Sequence, residues 1–143
     1  MFLGEYQHAL DNKGRITIPS RFRELLGERF VATKGLDNCI FLYPQEEWKS
    51  IEEKLHALPL TRSDVRSFVR FFFSGAAELE LDKQGRTVLS LNLRSYAGIE
   101  KDVNVIGVGS RIEIWASDKW ESYNQNAEAS YEVIAENMID LGI

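Results

Sequence analysis

Asp11-Asn12-Lys13-Gly14-Arg15 and Asp82-Lys83-Gln84-Gly85-Arg86 lie about 71 residues apart and repeat the same carboxylate, glycine and guanidinium at the same spacing. An Asp at the first position of a tight turn accepts backbone N–H bonds, and a Gly at the fourth tolerates positive φ. Asp11, Gly14, Asp82 and Gly85 are therefore expected to shape two turns and to orient the arginine that leaves each of them. A guanidinium so placed can bridge phosphate oxygens or guanine O6 and N7 with its planar fork, while a lysine offers phosphate a point charge. Lys13, Arg15, Gln84 and Arg86 are the candidate DNA-contacting residues. Arg21 and Arg23 follow as phosphate contacts, with Arg94 weaker. The same pattern would also serve as an ordinary solvated turn, so the residue chemistry leaves both readings open.

The repeat extends beyond the turns. Tyr6 to Leu10 aligns with Ala77 to Leu81, and Arg23 to Gly27 with Arg94 to Gly98. After a one-residue slip, Gly35 aligns with Gly107, Ile40 to Tyr43 with Ile112 to Trp115, and Trp48 with Trp120. A supersecondary unit written twice predicts two similar halves related by a pseudo-twofold axis.

The elements that must carry the turns follow from local pattern. Alternation in Tyr6–Leu10 and Ala77–Leu81 predicts a strand before each turn, and Arg15–Ile18 and Arg86–Leu89 predict its return as a hairpin. Ser20 or Ser90 is a candidate N-cap of a short helix that Gly27 or Gly98 stops. Strands are then expected near residues 29–33 and 39–43, and again near 102–106 and 111–115. Pro44 can open a helix carrying Trp48, Ile51, Leu55 and Leu58 on one side, which Pro59 ends. Thr61 with Asp64 resembles the capping pair of a second helix with a buried stripe of Val65, Phe68, Val69 and Phe72. Residues 117–138 read as one long helix or a broken pair, with Tyr131, Ile134, Ala135 and Met138 facing inward.

Composition limits the function classes. A single cysteine, Cys39, excludes an intrachain disulfide, and with only His8 and His56 beside it the chain has too few soft ligands for a zinc cluster. No catalytic residue, metal or cofactor is expected, because no nucleophile has an identifiable base and Gly107-Val108-Gly109-Ser110 lacks the Lys-Ser/Thr ending of a phosphate loop. No apolar stretch reaches the roughly 20 residues of a membrane span, and the first residues do not resemble a signal sequence, so a cytoplasmic location is the expectation. A net charge of −5 opposes DNA binding in the sum. The distribution is uneven, however: Lys13, Arg15, Arg21, Arg23, Arg29 and Lys34 cluster in the first half, and Glu128, Glu132, Glu136 and Asp140 load the tail.

These residues resemble the MraZ family, in which two halves, each similar to the DNA-binding fold of AbrB-type regulators, are fused in one chain. The resemblance covers almost the whole chain, and its most specific motif is Asp-x-x-x-Arg, present as Asp11 to Arg15 and as Asp82 to Arg86. It implies an α+β fold with two AbrB-like β-barrel halves of the swapped-hairpin type in pseudo-twofold tandem, flanked by helices. The corresponding segments are 5–47 for the first half, 48–75 for a helical hairpin, 76–118 for the second half and 119–143 for a C-terminal helix. Family membership further implies a transcriptional regulator on the nucleoid that binds double-stranded DNA at short direct repeats upstream of the division and cell-wall gene cluster, as a ring-shaped homo-oligomer. Where the family often has Pro-Pro after the second motif strand, this chain has Ser90-Leu91, which removes no charge.

Two other function classes are weighed against a DNA-binding regulator. One is a protein-interaction module, such as an antitoxin-like member of the same fold; such antitoxins usually pair one copy of the fold with a disordered tail. The other is a small enzyme, disfavoured for want of a catalytic constellation. The stripe of Arg62, Arg66 and Arg70 and that of Glu128, Glu132, Glu136 and Asp140 either face solvent or meet across a contact between protomers.

Overall fold

The computed structural model describes residues 1–139 and residue 142. Among them, β1 (Phe2–Ala9), β2 (Arg15–Thr17), α1 (Ser20–Leu26), β3 (Arg29–Lys34) and β4 (Ile40–Pro44) make up the strand and short-helix part of the first repeat. The helices α2 (Gln45–His56) and α3 (Ser63–Ser74) follow. The second repeat has β5 (Ala77–Glu80), β6 (Arg86–Val88), α4 (Leu91–Ala97), β7 (Asp102–Gly109), β8 (Ile112–Ala116) and a 20-residue helix, α5 (Ser117–Glu136). The order of elements in each repeat is the one expected from the pattern, within a mixed α+β fold.

The strands combine across the repeats. One antiparallel sheet has the order β1-β7-β8-β4-β3-β5, which reads the same when the two repeats are exchanged, and β2 pairs with β6 in a separate ribbon. The expected local hairpin is therefore corrected. Its turn closes, with the Asp11 N–H donating to the Arg15 carbonyl at 3.0 Å, but β1 runs along β7 and β2 along β6. The alternation in Tyr6–Leu10 marks a strand with one face on the core, and any antiparallel partner satisfies it.

Most of the apolar core lies between the sheet and the ribbon. Ile16, Ile18, Phe22 and Leu26 of the first repeat meet Leu89, Leu93, Ala97 and Ile99 of the second in one cluster. Each large side chain removed from water there contributes about 1.5–3 kcal/mol. Phe2 and Tyr6 of β1 set their edges on Phe22, which fixes α1 beneath the sheet. A second cluster covers the other face of the sheet, where Trp48 packs on Tyr43 and stacks on Phe72 with ring centroids 5.6 Å apart. Gly35 is needed for close approach, since a Cβ there would meet the Phe41 ring at 2.6 Å.

The helix ends differ in places from the expected caps. Ser90 caps α4, accepting the Leu93 N–H at 3.2 Å, and Gly98 ends that helix in the left-handed conformation. Ser20 does not cap α1: Pro19 occupies the cap position with no side-chain bond, because its fixed φ already sets the entry angle. The Thr61–Asp64 pair does not form either. Asp64 turns to Arg62 at 2.7 Å and to the Val65 N–H, and Arg62 stands at the cap position. Within the stripe of α3, Phe72 is buried and Phe68 exposed; Leu58, beyond the end of α2, is exposed as well. Tyr131 and Ile134 of α5, and Met138 just past its end, do not face inward but lie open to solvent, because the helix runs past the sheet it started on. Asp140 lies outside the described residues.

Thr33 is fully buried and its Oγ1 donates to the Phe72 carbonyl at 2.6 Å, tying the last turn of α3 to β3. Thr33→Val strands that carbonyl in a dry site and is expected to cost about 1–3 kcal/mol. The urea unfolding midpoint should fall with the m-value unchanged.

Candidate functional site

The two Asp-x-x-x-Arg turns are built alike. Asp11 Oδ1 accepts the N–H groups of Lys13 and Arg15, both at 2.9 Å, and its Oδ2 accepts from Arg15 Nε at 2.6 Å. Asp82 does the same for Gln84 and Arg86, at 2.9 Å in all three bonds. Gly14 and Gly85 close the turns at φ +74° and +75°, a region that residues with a Cβ rarely adopt. The backbone N–H of Arg15 is the main reason the Asp11 carboxyl is held down to about 2, with the Arg15 side chain and the Lys13 N–H acting in the same direction. Asp82 is lowered for the same reasons, led by the Arg86 N–H. Each carboxylate is thus committed to its own turn and presents its arginine with Nε engaged. Among the described residues, the two terminal nitrogens of Arg15 and of Arg86 take no partner.

The ribbon brings the two turns together. In its register Arg15 faces Val88 and Thr17 faces Arg86, with Ile16 opposite Thr87 at the centre. One more backbone bond at each end, Leu89 N–H to Gly14 O at 3.0 Å and Ile18 N–H to Gly85 O at 2.9 Å, joins each strand to the opposite turn. Successive side chains of a strand alternate in direction, so Ile16 and Thr87 point into the core while Arg15, Thr17, Arg86 and Val88 share the outer face. The two arginines are diagonal neighbours on that face.

The short helices add a second, crossed pair. Arg23 Nε donates to the Ile18 carbonyl at 2.8 Å, and its guanidinium occupies the space where Gly85 lacks a Cβ. Arg94 does the same with Leu89 at 3.0 Å and lies against Gly14. Each arginine of one repeat thereby covers the turn of the other. Lys13, Gln84 and Arg21 are exposed, as is Lys83. Four guanidiniums and two ammonium groups thus gather around two neutralised carboxylates on an otherwise acidic chain.

All six of the sequence-predicted contact residues except Arg21, which sits on the exposed side of α1, belong to the ribbon, its turns or the clamp over them. Beside them belong Lys83, which the sequence reading did not single out, and Arg94, which it ranked as a weaker contact. Lys83 stands one position before Gln84, so the second turn has the same charge as the first, displaced by one residue; its alignment with Asn12 concealed this. Arg94 is the full counterpart of Arg23, as its alignment in the repeat indicated. Among the described residues, no group of three or more His, Cys, Asp or Glu is placed to hold a metal ion, and no helix is long and apolar enough to cross a membrane.

A duplicated α+β protein whose repeats exchange strands and set two Asp-anchored arginines on one ribbon is the class this geometry defines. Residues 1–71 and residues 72–142 each match the family described as "MraZ protein, putative antitoxin-like". The chain is 73% identical over the full length of both chains to a protein of Syntrophomonas wolfei named transcriptional regulator MraZ. It is 60% identical, over 99% of both chains, to one of the same name from Desulforamulus reducens, and 60% identical over all of both to another from Heliobacterium modesticaldum. The chain belongs to the MraZ family.

The lowered carboxyls give the turns a pH signature. A group whose folded pKa lies below its ordinary value of 3.8, as Asp11 does, contributes stability that is complete above about pH 4 and lost as pH falls towards 2. Asp11→Asn should be less stable than the parent at pH 5, and the gap between their urea midpoints should close as pH is lowered to 2. A gap independent of pH would show that the ionised carboxylate is not what holds the turn.

Proposed function

We propose that the chain is a sequence-specific DNA-binding transcriptional regulator, with each repeat an AbrB-like half and the paired turns as its DNA-reading element. The observation that carries this is the convergence of Arg15, Arg86, Arg23 and Arg94 with Lys13 and Lys83 around one outward ribbon, with the terminal nitrogens of Arg15 and Arg86 unspent. A two-stranded ribbon fits the major groove, and a guanidinium anchored through Nε presents its two terminal nitrogens as the fork that guanine or phosphate accepts. Arg15, Arg86 and the lysines make the contacts, Gln84 and Arg21 extend them, and Arg23 also braces the turn of the other repeat. The names borne by the relatives support regulation of transcription.

The remainder of the reading follows from the size of the site. One acidic protomer with a small cationic cluster binds weakly and loses affinity steeply with salt. A ring of copies facing spaced direct repeats converts later contacts into intramolecular ones, and affinity rises by avidity. The proposed targets are direct repeats upstream of the division and cell-wall gene cluster to which the chain's own gene belongs, read by a cytoplasmic protein on the nucleoid.

Fluorescence anisotropy with that upstream DNA across a salt series tests the proposal. Arg15→Ala and Arg86→Ala should each weaken binding at least tenfold and flatten the slope of log K against log salt by about 0.9 for each phosphate no longer neutralised. An intact assembly with no preference for this DNA would favour the protein-interaction reading instead.

A further inference from the structure

The two repeats differ most where their helices end. In the first, α2 stops at His56, the chain passes Pro59, and α3 folds back so that Phe72 and Phe73 cover Trp48. In the second, Trp120 packs on Trp115 and Tyr123 as the counterpart of Trp48, but α5 continues straight on to Glu136. Its inner line passes from Trp120 to Ala127, Tyr131 and Ile134, at the three-, four- and seven-residue spacing of one helix face, with Met138 just past the helix end. The start of that line joins the core, yet Tyr131 is 70% exposed and Ile134 and Met138 are 52% exposed. The apolar stripe outruns the body that it packs on.

α3 presents a matching face. Phe68 and Phe71 are exposed on its outer side, where they border a hollow completed by Leu36 and Tyr96, with Lys34 Nζ 3.8 Å above the Phe71 ring. Arg66 and Arg70 flank this apolar side, separated from it by the small residues Ser63 and Ser67. Arg62 is already paired with Asp64, and Arg66 donates Nη1 to the Leu60 carbonyl at 3.0 Å, which leaves the other nitrogens of Arg66 and the guanidinium of Arg70 as the basic stripe.

We propose that the overhanging half of α5 docks on α3 of a second copy of this chain, its apolar line against Phe68 and Phe71 and its Glu128, Glu132 and Glu136 beside Arg66 and Arg70. The second copy is the occupant because the two faces complement each other in charge as well as in apolar surface. Helical geometry also sets the direction. At 100° per residue, turning the same way about each axis, α3 shows Arg66 and Arg70, then Ser67, then Phe71 and Phe68. α5 shows Ile134 and Tyr131, then Ala135, then Glu132 and Glu136. Helices running side by side in the same direction bring cation to anion and apolar to apolar, whereas antiparallel helices would set arginine against Tyr131. The contact joins unlike surfaces, so it is heterologous, and repetition closes into a ring or extends as a filament. This inference rests on the ring reading above and assigns the surfaces that build it.

Two reversed chains test the pairing, Arg66→Glu with Arg70→Glu and Glu132→Arg with Glu136→Arg, together with Ile134→Glu, which sits on the overhang and leaves the core untouched. Light scattering after size exclusion should find the wild type assembled and each of the three variants shifted to protomer mass at the same concentration, with native circular dichroism. Mixing the two charge-reversed chains should restore assembly, since each then offers the other a complementary surface, a rescue that unfolded chains could not give. Assembly of all three variants at wild-type mass would overturn the α3–α5 contact and leave the ring reading standing. A wild-type chain that stays monomeric at micromolar concentration would overturn both.

Discussion

A strand of three residues has no stability of its own, and in this fold β2 and β6 are each three residues long. They persist because each is the other's partner and because Ile16 and Thr87, at the centre of their ladder, are sealed into the core. β1 and β5 are in the same position, completing the sheet along β7 and β3 of the opposite repeat. Neither repeat can satisfy its backbone without the other, so the exchange of strands is the condition on which the rest of the molecule depends. The same exchange determines where the chemistry lies. A ladder centred on Ile16 and Thr87 places the two turns at opposite ends of one short ribbon, and each turn's glycine falls under the arginine of the other repeat.

This arrangement explains how an acidic chain comes to hold a cationic site. Asp11 and Asp82 sit beside the arginines, yet the backbone and Nε donors that surround each carboxylate consume its charge locally. The outward nitrogens are left to define the field. The carboxylates act as fasteners: they hold the arginine's stem while its fork stays free, which reduces the rotamer entropy lost when the fork meets a ligand. Gly14 and Gly85 contribute in a different way, since they provide both the positive φ of the turn and the space that Arg94 and Arg23 fill.

Much of this was legible in the sequence because it depends on short-range chemistry. Asp, Gly and Arg at fixed offsets specify a turn whatever surrounds it, and the repeat located every strand and both short helices to within a few residues. What the chain did not disclose was pairing. The alternation in Tyr6–Leu10 reports that one face is buried but not what lies alongside, so the nearest return strand was the natural and wrong partner. Ser20 and Ser90 look equally good as caps, and only the proline before Ser20 shifts the helix start by one residue. The role of Arg23 as a clamp over Gly85 was hidden because it spans the two repeats. Tyr131, Ile134 and Met138 show the spacing of a buried stripe, yet all three are exposed, because the pattern does not report how far the sheet extends beneath the helix.

The places where the duplication fails are informative for the same reason. The strand order, ribbon, turns and short helices correspond between the two repeats, whose strands pair across at β1–β7, β3–β5, β4–β8 and β2–β6. Beyond β4 and β8 no such fit is required, and there the repeats diverge, one into α2 and α3 and the other into a single α5. Association through a single self-complementary surface stops at a dimer. The ends here are unlike, one folded back with a basic and aromatic face and one extended with an acidic and apolar face, and the proposed contact of unlike with unlike would continue from copy to copy. In the proposed assembly, the matching parts of the two repeats would place both turns on one ribbon within a protomer, and the unlike parts would multiply that ribbon from copy to copy.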